Sequence, residues 1–178
     1  SGTQDFSTSG GSLKIDKLSG KINGRTSGGS ITVTNSKDDI NLKTSGGSIK
    51  ATNCTGNIKL STSGGSLNLT ELQGTIAANT SGGSIHGNNI KGELTAHTSG
   101  GSVVLQDMAC SLETSTSGGS MNIALKELGK YLTVSNSGGN INLQLPANQG
   151  LNLKLHGNKI NVNALNNFSG SKDEDEIN

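Results

Sequence analysis

Written eighteen residues to a line, the sequence sorts its apolar residues into columns. One column holds Leu13, Ile31, Ile49, Leu67, Ile85, Val103, Met121 and Ile141. Two positions further on stand Ile15, Val33, Ala51, Leu69, Leu105, Ile123 and Leu143, with Gly87 the exception. A third column holds Ile22, Ile40, Ile58, Ile76, Leu94, Leu112 and Leu132. Polar residues alternate with these, and a period of two over short runs predicts strands that bury one face. The 3.6-residue recurrence of an amphipathic helix is absent. Punctuating the lines is Thr-Ser-Gly-Gly-Ser, which begins at Thr8, Thr26, Thr44, Thr62, Thr80, Thr98 and Thr116, always eighteen residues apart. A weakened copy, Asn136-Ser-Gly-Gly-Asn140, follows after twenty.

Strands this short are not stable alone, but if each line is one turn of a coil, every strand lies about 4.8 Å from its equivalent in the previous turn. Like side chains then stack on like. The fold expected is all-β: a single-stranded parallel β-helix, or β-solenoid, of about nine turns of 18–20 residues, right-handed by the general preference of parallel crossovers, although a period of eighteen also fits left-handed hexapeptide coils, whose hexapeptide pattern is not evident here. Residues 1–168 form the solenoid, with repeats starting near 8, 26, 44, 62, 80, 98, 116, 136 and 155. The inward parity flips across Ser-Gly-Gly, so the backbone turns there, and glycine's access to positive φ is the expected reason. A second corner lies near Gly20, Gly56, Gly74 and Gly92, where Asp38 and Cys110 break the series. Two residues enter between Lys126 and Tyr131, and Pro146 belongs in a loop because it lacks a donor. Phe6 at one end and Leu165 with Phe168 at the other are candidate covers for the open core. Residues 169–178, Ser-Gly-Ser-Lys-Asp-Glu-Asp-Glu-Ile-Asn, read as a disordered acidic tail.

Composition narrows the chemistry. Aromatic residues make up only 2% of the chain, so the core has to be thin and aliphatic. A formal net charge of +1 argues against a nucleic-acid binder held by phosphate neutralisation. No run approaches the roughly 20 apolar residues of a membrane span. Cys54 and Cys110 fall three turns apart, about 14 Å at 4.8 Å per turn, beyond the about 7 Å that a disulfide bridges. They are expected to be small buried hydrophobes. His86, His97 and His156 have no Cys, Asp or Glu companions at ligand spacing and read as surface residues. The recurring Gly-Gly matches neither a P-loop nor a dinucleotide fingerprint, since each needs a following helix. Calcium rolls place aspartate where these turns carry serine. No cofactor or metal is expected.

What remains is outward-facing polarity. Lys14, Lys50, Asn68 and His86 share one outer column, and Arg25 and Lys43 begin another. These six are the candidate surface-binding face, with Lys21 and Asp39 placed to pair vertically. The motif Thr-Ser-Gly-Gly-Ser-aliphatic-x-aliphatic, with its following Gly-x-Ile/Leu, resembles the bacterial adhesin-type domains of unknown function over residues 8 to about 165. The resemblance implies an exported protein of the bacterial cell envelope or surface, and it brings no catalytic residues to carry over. The function expected is a non-enzymatic, adhesin-like or structural module contacting a glycan or protein surface. One alternative is a polysaccharide-acting β-helix enzyme, which would need paired carboxylates. Another is an ice-binding solenoid, which would need paired outward threonine columns, whereas the pentapeptide threonines continue an inward run.

Overall fold

The structure, a computed structural model, describes residues 2–146, 153–157, 159–163 and 176–177. The first turns are divided among β1 (Thr3–Thr8), β2 (Leu13–Asp16), β3 (Ser19–Thr26), β4 (Ile31–Thr34) and β5 (Lys37–Thr44). Each following turn is one long bent strand: β6 (Ile49–Ser61), β7 (Leu67–Asn79), β8 (Ile85–His97), β9 (Val103–Thr116) and β10 (Met121–Asn136). The stack closes with β11 (Asn140–Gln144), β12 (Leu153–His156), β13 (Lys159–Asn163) and β14 (Glu176–Ile177). No helix occurs among the described residues. Strands pair parallel in the order β1-β3-β5-β6-β7-β8-β9-β10-β11-β13, with β2-β4-β6 alongside. The molecule is a β-solenoid of about eight turns. Of the copy expected to begin near Leu155, the described residues after its corner are the strand β13 and the pair Glu176–Ile177.

The columns read from the sequence are the core. Ile22, Ile40, Ile58, Ile76, Leu94, Leu112 and Leu132 are successive Cα partners, and each is at most 1% exposed. Ile31, Ile49, Leu67, Ile85, Val103, Met121 and Ile141 form the facing column. Burying each such side chain contributes on the order of 1.5–3 kcal/mol, so these columns outweigh any surface pair. Phe6, a candidate cover for the N-terminal end, stands opposite Gly24 at the start of its column, but it is 36% exposed and the hydrophobic side chains packed against that end of the core are Leu13 and Leu18. Leu165 and Phe168 lie outside the described residues.

The Thr-Ser-Gly-Gly-Ser corner is a hydrogen-bond device that repeats at every level. Thr62 donates its hydroxyl to the carbonyl of Gly47 in the previous turn at 2.8 Å and accepts the amide of Gly65 in its own turn at 3.2 Å. Thr26, Thr44, Thr80, Thr98 and Thr116 do the same. The last serine of five of the motifs, Ser12, Ser30, Ser48, Ser66 and Ser84, accepts the amide of the equivalent serine one turn later, Ser48 from Ser66 at 3.1 Å. The weakened copy keeps this chemistry: Asn136 donates Nδ2–H to Gly119 at 2.8 Å and accepts from Gly138 and Gly139. Positive φ is not what this corner asks of its glycines. The second glycine has to be glycine because its neighbour lies too close: a Cβ on Gly65 would collide with the backbone of Gly47.

Left-handed backbone is concentrated elsewhere. The Gly corner is present, with Gly20, Gly56, Gly74 and Gly92 at φ between 103° and 123° and Asp38 at 81°. Three residues before it the chain turns again, at a third corner that the sequence reading did not name. Lys17, Asn35, Asn53, Glu71, Asn89 and Asp107 form that column, all at φ of 51–55°. Amides lace part of it, Asn53 donating to Asn35 at 2.7 Å and Asn35 to Asp16 at 3.0 Å. Left-handed φ ends at the Gly corner in the turn of β9, where Cys110 stands, and at the third corner in the turn of β10, where register shifts beside Leu125 and between Leu128 and Leu132 absorb the extra residues. Pro146 lies outside any strand, as expected. Of the tail, Glu176–Ile177 pair antiparallel with Leu155 and His156, and the remainder falls outside the described residues.

Candidate binding face

The alternation of each strand carries the candidate residues outward, and the corners then sort them. Lys14, Thr32, Lys50, Asn68 and His86 are successive partners on the face that follows the Ser-Gly-Gly corner. Arg25 and Lys43 are partners on the face that precedes it. The corner Ser27–Ser30 therefore separates the six into two groups on different faces. His97, read as a plain surface residue, is half-buried and shares a 2.6 Å hydrogen bond between Nδ1 and Ser115 Oγ.

Beside Arg25 and Lys43 lies a groove that the sequence reading missed. Two outer columns bound it, Lys21-Asp39-Asn57 and Asn23-Asn41-Lys59, on either side of the buried Ile22-Ile40-Ile58 column. Its volume is about 250 Å³, and Ile40 is the one apolar residue in its lining. Lys21 and Asp39, expected to pair vertically, are neighbours in register but form no ion pair. Among the described residues the ion pair present is Lys126 Nζ to Asp107 Oδ1, 2.9 Å, on exposed side chains. Asn23 is occupied, donating to Asp5 at 2.7 Å. The side chains of Lys21, Asp39, Asn41, Asn57 and Lys59 make no hydrogen bond to other described residues, so their donors and acceptors face solvent in one strip. The available signal was diagonal: asparagines at 23, 41 and 57 belong to two adjacent columns, not to one.

The same face changes sign along the rod. The column of Lys21 continues to Glu93, and that of Asn23 to Glu113. Burial, with the charges of Glu93 and Glu113, raises the Tyr131 phenol above its ordinary value. Elsewhere, Asp16 is held below the usual carboxylate range by the Thr34 hydroxyl and then the Asn35 amide. Cys54 and Cys110 are free and buried. Burial raises both thiols, that of Cys110 to about 12. Among the described residues no three of His, Cys, Asp or Glu are grouped to hold a metal. Nor is any helix among them long and apolar enough to cross a membrane.

Fold and surface together define a parallel β-solenoid repeat domain, with polar outer faces on a thin aliphatic core. The chain belongs to the Toastrack family of domains of unknown function, whose model, Toastrack DUF4097, matches residues 3–177. No curated protein and no solved structure matches it.

Proposed function

We propose that this chain is a non-enzymatic, adhesin-like binding module, exported to the bacterial cell envelope, that presents its long outer faces to a glycan or protein surface. The observation that carries the reading is the strip of uncommitted lysine, asparagine and aspartate side chains, held in register by a parallel sheet. A rigid, repetitive face of this kind suits weak contacts made many at a time. The groove lining holds a single carboxylate, Asp39, whereas glycoside hydrolysis uses a pair. The test is retention of the chain on immobilised envelope and host glycans and proteins, with the same glycans assayed for new reducing ends or unsaturated products. Retention without turnover is the expected result. Turnover makes the protein a polysaccharide-acting enzyme instead, and failure to retain on any surface removes the binding role. Fractionation of the producing cells checks the location: the reading requires the chain in the envelope, and a wholly cytosolic pool contradicts it.

A further inference from the structure

We infer that the groove between the Lys21 and Asn23 columns is a subsite for an acidic polysaccharide whose units each carry hydroxyls and one carboxylate, as a uronic-acid polymer does. The inference rests on the binding-module reading and adds a place and a ligand chemistry. Size comes first. At about 250 Å³ the groove is smaller than the roughly 300–1,000 Å³ of sites that enclose a small molecule. An open depression of that volume seats one unit of a chain that continues beyond it. The lining comes second. Lys21 and Lys59 stand at opposite corners, two turns and two residues apart, and Arg25 and Lys43 extend the positive strip toward the corner. Lysine ammonium groups at such corners attract carboxylates as point charges.

Asp39 decides among polyanions. Its carboxylate lies between Lys21 and Asn57 in one column and beside Asn41 in the next, with no hydrogen-bond or ion-pair partner among the described residues. A densely charged chain, such as a sulfated glycan, a polyphosphate or a nucleic acid, would be repelled there. A sugar hydroxyl, by contrast, donates to it, while Asn41 and Asn57 donate to and accept from neighbouring hydroxyls. A protein partner is disfavoured because the one apolar residue of the lining, Ile40, is buried at 1% exposure, which leaves no exposed aromatic or apolar anchor of the kind that dominates protein interfaces. Glu93 and Glu113 further along the same face set the far limit, since an acidic chain is attracted over the N-terminal turns and repelled beyond them.

The full chain titrated calorimetrically with an oligogalacturonate, its methyl ester and dextran sulfate tests this directly. The acid is expected to bind, more weakly as salt rises, and the ester and the sulfate to bind far less. Lys21→Gln and Lys59→Gln should each weaken binding about tenfold, while Lys91→Gln, before the Gly92 corner and outside the groove lining, leaves it unchanged. Asp39→Asn should move preference toward dextran sulfate. On the unmodified chain, amide shifts on adding the acid should centre on Asn23, Asn41 and Asn57, a readout independent of any variant. No binding of the acid, equal binding of its ester, tighter binding of the sulfate, or shifts centred elsewhere overturns the assignment. Glycan retention that survives Lys21→Gln and Lys59→Gln would remove the groove and leave the module reading standing.

Discussion

At the scale of single residues, the two glycines of each corner have different jobs. A Cβ on Gly64 would meet its nearest neighbour, the Ser45 carbonyl, at 3.6 Å, an ordinary contact, whereas one on Gly65 would strike the Gly47 backbone. Gly64→Ala is expected to change stability by under about 1 kcal/mol, and Gly65→Ala to cost about 3 kcal/mol or more, because neither turn can move without breaking its ladder. Thermal melts of the two variants decide it: equal melting temperatures would contradict the close approach. The threonine beside them makes a second comparison. Thr62→Val keeps the shape but leaves the part-buried Gly47 carbonyl and Gly65 amide without their partner, at about 1 kcal/mol for each. Thr62→Asn should recover part of that loss, since Asn136 makes the equivalent pair of contacts with its amide. Denaturant unfolding of the three proteins gives the order: wild type, then Asn, then Val.

The corner is the element where prediction and structure part company. Columns of Ile and Leu were legible because burial requires the same residue class at every level, and their Cα register is the one the eighteen-residue frame implies. Parallel stacking followed from it, as did the separation of the two cysteines. The third corner was not legible: Lys17, Asn35, Asn53, Glu71, Asn89 and Asp107 share a backbone conformation but no side-chain class. Only asparagine and aspartate there betray left-handed φ, which they tolerate better than other non-glycine residues. The groove escaped for a related reason, because its side chains lie across two columns and each column taken alone looks like ordinary polar surface. Glu71 tests the account of the corner. At φ 54° it lacks the local hydrogen bonding open to a short amide, so Glu71→Asn is expected to stabilise the protein, by up to about 1 kcal/mol. A lower melting temperature for that variant would mean that Glu71 is held by something other than backbone tolerance.

For the whole molecule, stacking makes the interior turns depend on one another. A rung inside the rod is hydrogen-bonded to a turn on each side, and a solenoid opens by separating neighbours, most readily at its ends. Cys54 and Cys110 sit on interior rungs, facing inward among aliphatic side chains, with solvent exposure of at most 1%. A thiolate cannot be solvated there without parting the adjacent turns, so titration of these groups is coupled to unfolding. Burial holds the Cys110 pKa at about 12 against an ordinary 9.0. The unfolded chain therefore loses its proton first as pH rises. The stability this neutral thiol contributes is complete below about pH 9 and is lost as pH climbs toward 12. Denaturant unfolding should be insensitive to Cys110 between pH 7 and 9 and should fall above that range. The loss belonging to this thiol is the difference from Cys110→Ala, in which the corresponding slope is absent, while Cys54 and Tyr131, whose pKa values burial also raises, contribute to the slope that remains. Thiol-specific reagents at pH 8 should label neither cysteine faster than the stack opens. Rapid labelling of Cys110 with the fold intact would mean that the interior turns open locally, and that the columns do not hold the rod as one cooperative body.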